Sequence, residues 1–152
     1  MADVFLGLGS NLGDRASTLR AALAELCAEP GVRLRACSTL RRTAPVGGPP
    51  QPDFVNGAAR VDCSLSPHRL LALLLEVERR RGRARGVANG PRTLDLDLLL
   101  FGVLRHDSPE LKLPHPRLVE RAFVVEPLAE LAPRLPLPDG STAAARARSL
   151  AS

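Results

Sequence analysis

A chain of 152 residues, 45% of them apolar, is long enough to bury a core without disulfide staples and reads as one domain over residues 1–152. Its net charge of +5 points to an anionic partner, yet four Phe and no Tyr or Trp offer no stacking platform for bases, which argues against nucleic acid. The apolar runs, such as residues 70–75, fall far short of the roughly 20 residues of a membrane span, and no basic segment precedes an apolar one at the N-terminus; a cytoplasmic protein without membrane contact is expected.

Cys27, Cys37 and Cys63 are odd in number and widely spaced, so buried thiols are expected rather than disulfides or a zinc site. Only Lys112 among the 21 basic residues is lysine, so arginines such as Arg33, Arg35, Arg41, Arg42, Arg146 and Arg148 read as surface charge.

From Val4 to Leu8 the chain reads as a short apolar strand entering Gly7-Leu8-Gly9-Ser10-Asn11-Leu12-Gly13-Asp14. A dinucleotide fingerprint needs glycine where Leu12 stands, so that reading fails, while the glycines still allow a tight turn close to a ligand. Asp14 or Ser17 can cap a helix whose apolar face is Leu19, Ala22, Leu23 and Leu26, ended by Pro30-Gly31. Val32 to Leu40 alternates as a strand. The Pro- and Gly-rich stretch from Thr43 to Pro52 is either a surface linker or a functional loop. Phe54 to Cys63 alternates again, with Phe54, Asn56 and Ala58 on one face and Val55, Gly57, Ala59 and Val61 on the other. Phe54 and Asn56 read either as a wall for a flat heterocycle or as plain core and a turn-supporting amide.

Ser66-Pro67 opens a second helix that carries Leu70, Leu71, Leu74 and Val77 inward, with Glu78 near its end and Gly82 closing it. Arg79, Arg80 and Arg81 suit the helix dipole, whereas Arg83 and Arg85 lie in the following loop and suit phosphate. That loop delivers the chain to Gly90-Pro91-Arg92-Thr93-Leu94-Asp95-Leu96-Asp97-Leu98-Leu99-Leu100-Phe101-Gly102. On a strand, Asp95 and Asp97 share a face with Cα atoms roughly 6.5 to 7 Å apart; on a helix they would diverge by about 200°. Two carboxylates side by side repel unless a cation lies between them. Hard oxygen donors suit Mg²⁺, and two ions about 3.5 to 4 Å apart could clamp an in-line displacement. Alone, such a pair is more often a solvated face, but Arg92 adds a planar fork that matches phosphate.

After this strand, His115 sits between Pro114 and Pro116, is expected to head a short helix carrying Arg121, and is a candidate ligand contact; His68 and His106 read as hydrogen-bonded structural residues. A further short helix is expected from Pro127 to Ala132, and Ser141 can cap a C-terminal one. The order β-α-β-β-α-β points to an α+β, ferredoxin-like core: an antiparallel sheet with helices packed on it, plus short C-terminal helices.

Four blocks carry a resemblance over nearly the whole chain: Gly9-Ser10-Asn11-Leu12-Gly13, Gln51-Pro52-Asp53-Phe54-Val55-Asn56, the stretch from Gly90 to Asp97, and Pro114-His115-Pro116-Arg117 through Arg121-Ala122-Phe123. On these the chain resembles the hydroxymethyldihydropterin pyrophosphokinase family of folate biosynthesis. The resemblance implies transfer of diphosphate from ATP, as co-substrate, to 6-hydroxymethyl-7,8-dihydropterin, giving AMP. It implies two Mg²⁺ ions on Asp95 and Asp97. Arg83 and Arg92 would contact the transferring phosphates, with Asp97 the better placed proton acceptor. Glu78, Arg85, Leu98, Lys112, His115 and Arg121 would help hold ATP. Thr43, Val46, Phe54, Asn56, Asp95 and Phe123 would hold the pterin, its ring between the two aromatics.

Such transfer needs positioning and charge neutralisation more than covalent chemistry, which is consistent with a chain that has no phosphate-loop lysine. The loops 10–15, 44–53 and 82–93 would close over the site to exclude water. Asn89 stands where many relatives carry an aromatic, and the loop before Gly90 is a residue shorter than in some. A monomer binding only these small molecules is expected. The competing readings are another two-metal phosphoryl or nucleotidyl transferase on the same fold and a basic RNA-binding module, the latter lacking the aromatics that its sheet would need.

Overall fold

The computed structural model describes residues 1–11, 14–44, 53–81 and 94–151. Within them run β1 (Ala2–Ser10), α1 (Arg15–Cys27), β2 (Val32–Cys37), β3 (Arg41–Thr43), β4 (Phe54–Cys63), α2 (Pro67–Arg81), β5 (Asp95–Phe101), β6 (His106–Asp107), β7 (Lys112–Leu113), α3 (Ala122–Leu131) and α4 (Ala143–Ala151). The main sheet has the order β2-β4-β1-β5, with β3 also on β4, and every pairing is antiparallel. With β2 and β3 counted as one interrupted strand, this is the ferredoxin-like arrangement that the element order predicts.

Alternation along the strands builds two cores. Val4, Leu6, Leu8, Ala59, Val61, Leu96 and Leu98 face α1 and α2, which bury Leu19, Ala22, Leu23 and Leu26 from one helix and Leu70, Leu74 and Val77 from the other. Phe5, Ala58, Leu99 and Leu100 face the opposite way and pack with Leu118, Val125, Leu128 and Leu137 of the C-terminal region. The register between β1 and β5 shifts between Phe5 and Leu6, leaving Leu99 as an extra residue on β5. This bulge lets Leu99 and Leu100 both join the second core.

Local caps agree with the sequence at two helices. Asp14 accepts a hydrogen bond from the Ser17 backbone N–H at 3.2 Å, and Ser66 Oγ accepts one from the Arg69 N–H at 3.3 Å with Pro67 in the first turn of α2. Gly82, the expected end of α2, lies outside the described residues.

Several expectations need correction. The strand expected to reach Leu40 stops at Cys37, because β2 is an edge strand with a bulge between Leu34 and Ala36 and mostly exposed side chains. Ser38 then fills the break: its Oγ accepts from the Ala58 N–H at 2.8 Å, and pairing resumes in β3, which the alternation did not reveal. Cys37 is consequently exposed, while Cys63 is buried as expected and Cys27 partly so.

His115 does not share a helix with Arg121. Residues Leu118–Glu120 form a single 3-10 turn, and Arg121 is extended, at φ −115° and ψ 114°, before α3 begins. That helix starts at Ala122 rather than Pro127, which lies inside it; burial of Val125 and Leu128 outweighs the N–H that Pro127 cannot offer the carbonyl of Phe123. Thr142, not Ser141, caps α4, its Oγ1 accepting from the Ala145 N–H at 3.2 Å, because the Ser141 hydroxyl is taken by Asp139 at 2.6 Å. The two-residue strands β6 and β7 form a small hairpin that the sequence pattern did not announce. Among the described residues no helix is long and apolar enough to cross a membrane.

Candidate active site

Gly9 pairs with Asp95 on one side and Asn56 on the other, and Gly7 pairs with Asp97 and Ala58. Directly opposed residues in an antiparallel sheet share a face, so both aspartates look the same way, as the strand reading requires. Leu94, Leu96 and Leu98 are buried on the other face. The glycines matter by what they omit. A Cβ on Gly7 would lie 3.5 Å from Asp97 Cβ, and one on Gly9 would lie 2.9 Å from Asn56 Oδ1 and 4.0 Å from Asp95 Cβ. Any larger residue would therefore fill the floor between the carboxylates and the amide.

Above this floor lies a cavity of about 630 Å³. Asp95 and Asp97 line it at one end, and Thr43, Phe54 and Asn56 at the other. Asn56 donates a hydrogen bond through Nδ2 to Thr43 Oγ1, which leaves its carbonyl oxygen facing the position above Gly9. The remaining wall is Arg117, Glu120, Arg121, Ala122, Phe123 and Val124. The break at Arg121 is what makes this wall. It turns the chain so that the N-terminus of α3, which has no side-chain cap, meets the cavity with its positive dipole end. The Arg121 guanidinium lies over the Phe123 ring, 5.6 Å from its centroid.

His115 is fixed by its backbone, whose N–H donates to the Leu99 carbonyl at 2.9 Å after a cis Leu113–Pro114 bond. Burial pushes its pKa down, helped by Arg121 and Arg117 and opposed by Asp97, so the ring lies within electrostatic reach of both walls. Its Nδ1 accepts from the Arg117 N–H at 3.3 Å, which puts the proton of the neutral ring on Nε2.

Glu78 reaches the site indirectly. Its buried carboxylate accepts the Leu96 N–H at 2.7 Å, holding β5 between the two aspartates from the helical side, and it does not line the cavity. The Leu98 side chain is buried in the core beneath the sheet, away from the aspartates. Lys112 stands on the β6–β7 hairpin with its ammonium 2.6 Å from Asp107, again outside the cavity lining. Val46, Arg83, Arg85 and Arg92 lie outside the described residues, as do most of the loops expected to close. The ends of two loops are joined, since Arg15 Nη1 donates to the Asp53 carbonyl at 2.9 Å.

The cavity thus brings together Thr43, Phe54, Asn56, Asp95, Asp97, Arg121 and Phe123. Arg117 and Glu120 also line it, and neither received a role from sequence. Their only signal was membership of the polar cluster after His115, and facing direction there depends on a turn that periodicity does not reveal.

The model of the 7,8-dihydro-6-hydroxymethylpterin-pyrophosphokinase family matches residues 5–133. The 2-amino-4-hydroxy-6-hydroxymethyldihydropteridine pyrophosphokinase of Pseudomonas aeruginosa is 49% identical over 137 residues, covering 90% of this chain and 85% of that protein. A mitochondrial folate synthesis bifunctional protein of Arabidopsis thaliana is 45% identical over 129 residues, covering 85% of this chain and 23% of that longer protein. Among solved structures, an HPPK-DHPS crystallised in complex with substrates superposes with a TM-score of 0.76 over 97% of this chain and 43% of its own, at 11% identity, a likeness of fold. Matched over most of its length, the chain belongs to the 7,8-dihydro-6-hydroxymethylpterin-pyrophosphokinase family, and its reaction is the pyrophosphokinase step of folate biosynthesis.

Proposed function

We propose that this cavity transfers the β,γ-diphosphate of ATP to the hydroxymethyl oxygen of 6-hydroxymethyl-7,8-dihydropterin, with Asp95 and Asp97 holding divalent magnesium. The observation that carries the reading is the alignment of Asp95 and Asp97 opposite Gly9 and Gly7, within one cavity that also holds Phe54, Asn56 and Phe123. The pair fits a hard cation by its chemistry: carboxylate oxygens only, on one face, above a floor that a Cβ would fill. When bound, magnesium supplies charge neutralisation along the triphosphate.

The chain's own groups do the rest. Phe54 and Phe123 take the pterin ring between them, and Asn56, oriented by Thr43, reads its polar edge. Arg121, the Nε2–H of His115 and the α3 N-terminus favour the phosphates electrostatically; Arg83, Arg85 and Arg92 add guanidinium forks from the preceding loop. The hydroxymethyl oxygen attacks the β-phosphorus, the bond from that phosphorus to the α-phosphate oxygen breaks, AMP leaves, and Asp97 takes the hydroxyl proton. Glu78 acts through the Leu96 amide as a positioning residue. By the family resemblance alone, Val46 is assigned to the pterin, and Lys112 and Leu98, the latter through its backbone because its side chain is in the core, are assigned to ATP. One domain, acting as a cytoplasmic monomer on these two substrates, is sufficient.

Product analysis tests the reading. Incubation with ATP, the reduced pterin and Mg²⁺ yields AMP and pterin diphosphate in equal amounts; ADP as the nucleotide product, or no turnover with magnesium present, overturns it.

A further inference from the structure

A second group of donors meets at the other end of α2. His68 stands in the first turn of that helix, His106 in β6 and Glu110 in the turn between β6 and β7. Ten residues of helix, about 15 Å, separate His68 from Glu78, and none of the three lines the cavity. One donor atom from each lies within 4.8 Å of the other two. His68 Nε2 is 3.2 Å from Glu110 Oε1, and the two imidazole rings meet edge to face with centroids 5.0 Å apart. Ser108 Oγ lies between the others, 2.9 Å from His106 Nε2 and 2.9 Å from Glu110 Oε1.

We propose that His68, His106 and Glu110 form a binding site for a divalent transition metal of the zinc type, clasping the β6–β7 hairpin to the start of α2. A tetrahedral ion with bonds of about 2.0 to 2.2 Å sets its ligand atoms about 3.3 to 3.6 Å apart. The His68–Glu110 spacing is already close to this, and the third donor needs only a small approach by side chains that are half exposed. Two imidazole nitrogens and one carboxylate oxygen are a donor set used by zinc, with a fourth position left to water. Magnesium prefers oxygen donors alone, so this cluster and the Asp95/Asp97 pair select different ions. The Ser108 hydroxyl supports the carboxylate from outside the ligand set.

The hairpin leads through Leu113 and Pro114 to His115, so an ion here would brace the segment that enters the active-site wall. The plain alternative is a hydrogen-bonded latch that takes no metal.

The test is equilibrium dialysis of the full chain against limiting Co²⁺ or Zn²⁺ with magnesium in large excess. The expected result is one retained Co²⁺ per chain with a tetrahedral visible spectrum lacking thiolate bands, and a higher melting temperature with Zn²⁺. His68→Ala and His106→Ala should each weaken retention by at least about tenfold, while Asp97→Asn retains the ion. Equal retention by His68→Ala and the parent chain, loss confined to Asp97→Asn, thiolate bands in the spectrum, or no retention at all would each overturn the proposal.

Discussion

Towards α1 and α2 the sheet presents Val4, Leu6, Leu8, Val61, Leu96 and Leu98 as a continuous apolar layer. Towards α3 the same strands present Phe5, Ala58, Leu99 and Leu100 at one end, and Gly7, Gly9, Asn56, Asp95 and Asp97 at the other. Both faces obey the two-residue period of a strand, yet only the first is filled throughout. The difference teaches that this site is made by withholding core: small and acidic residues occupy aligned rungs of three adjacent strands, and the helix that would cover them stops at its own N-terminus. The filled face and half-filled face should therefore respond to substitution in different quantities, one in stability and one in turnover.

Asp97→Ala gives the sharpest contrast. Turnover should fall by roughly 10³-fold or more, the scale of losing a preorganised electrostatic contact, while the urea midpoint barely changes because the substitution relieves a like-charge pair. A variant that keeps most of its kcat/KM would erase the distinction between the faces. On the other face, Leu6→Ala removes a fully buried side chain from the central strand and should cost about 2 to 5 kcal/mol in denaturant unfolding, with kcat per folded molecule preserved.

Glu78→Ala tests a tie that passes from the filled side to the site. The buried Leu96 N–H loses its acceptor, an expected cost of about 1 to 3 kcal/mol, and kcat should fall with it because Asp95 and Asp97 flank that amide. Glu78→Gln keeps an acceptor oxygen and should recover most of both; equal losses in the two variants would show that charge, not positioning, matters.

The smallest effect lies at the far end of β1. The Arg60 hydrogen bond holds the Asp3 carboxyl below its ordinary value of 3.8, burial opposes it, and the charges of Arg60 and Arg35 add to it. A group depressed in the folded state contributes stability above its unfolded value and loses that contribution as pH falls through the folded one. Asp3→Asn should thus flatten the acid limb of the stability curve below about pH 4, and its neutral-pH cost should stay under about 1 kcal/mol because the pair is partly exposed. An unchanged acid limb would show that the pair contributes nothing.

Legibility from sequence followed the range of the interactions. The alternation at β4 and β5 placed Phe54, Asn56, Asp95 and Asp97 on their faces, and Asp14 and Ser66 marked helix starts, because strand period and caps are local. The ends of β2 and α3 were misjudged where a partner distant in sequence decides: Ala58 takes over Ser38 beyond the edge strand, and the second core draws Val125 and Leu128 into a helix across Pro127; the cap of α4 was misjudged for a local reason, because Asp139 competes for the Ser141 hydroxyl.

The sequence by itself determined that two acids share one face of a strand beside glycines, since side chains two apart on an extended backbone must point the same way. Only the tertiary structure decided what stands over them. Arg117, Glu120, Arg121 and Phe123 come to the cavity because burial of Leu118, Val125 and Leu128 against Phe5, Leu99 and Leu100 forces the chain to break at Arg121. That burial joins Phe5 to Leu118, Val125 and Leu128, more than a hundred positions away, a range at which no local period carries information.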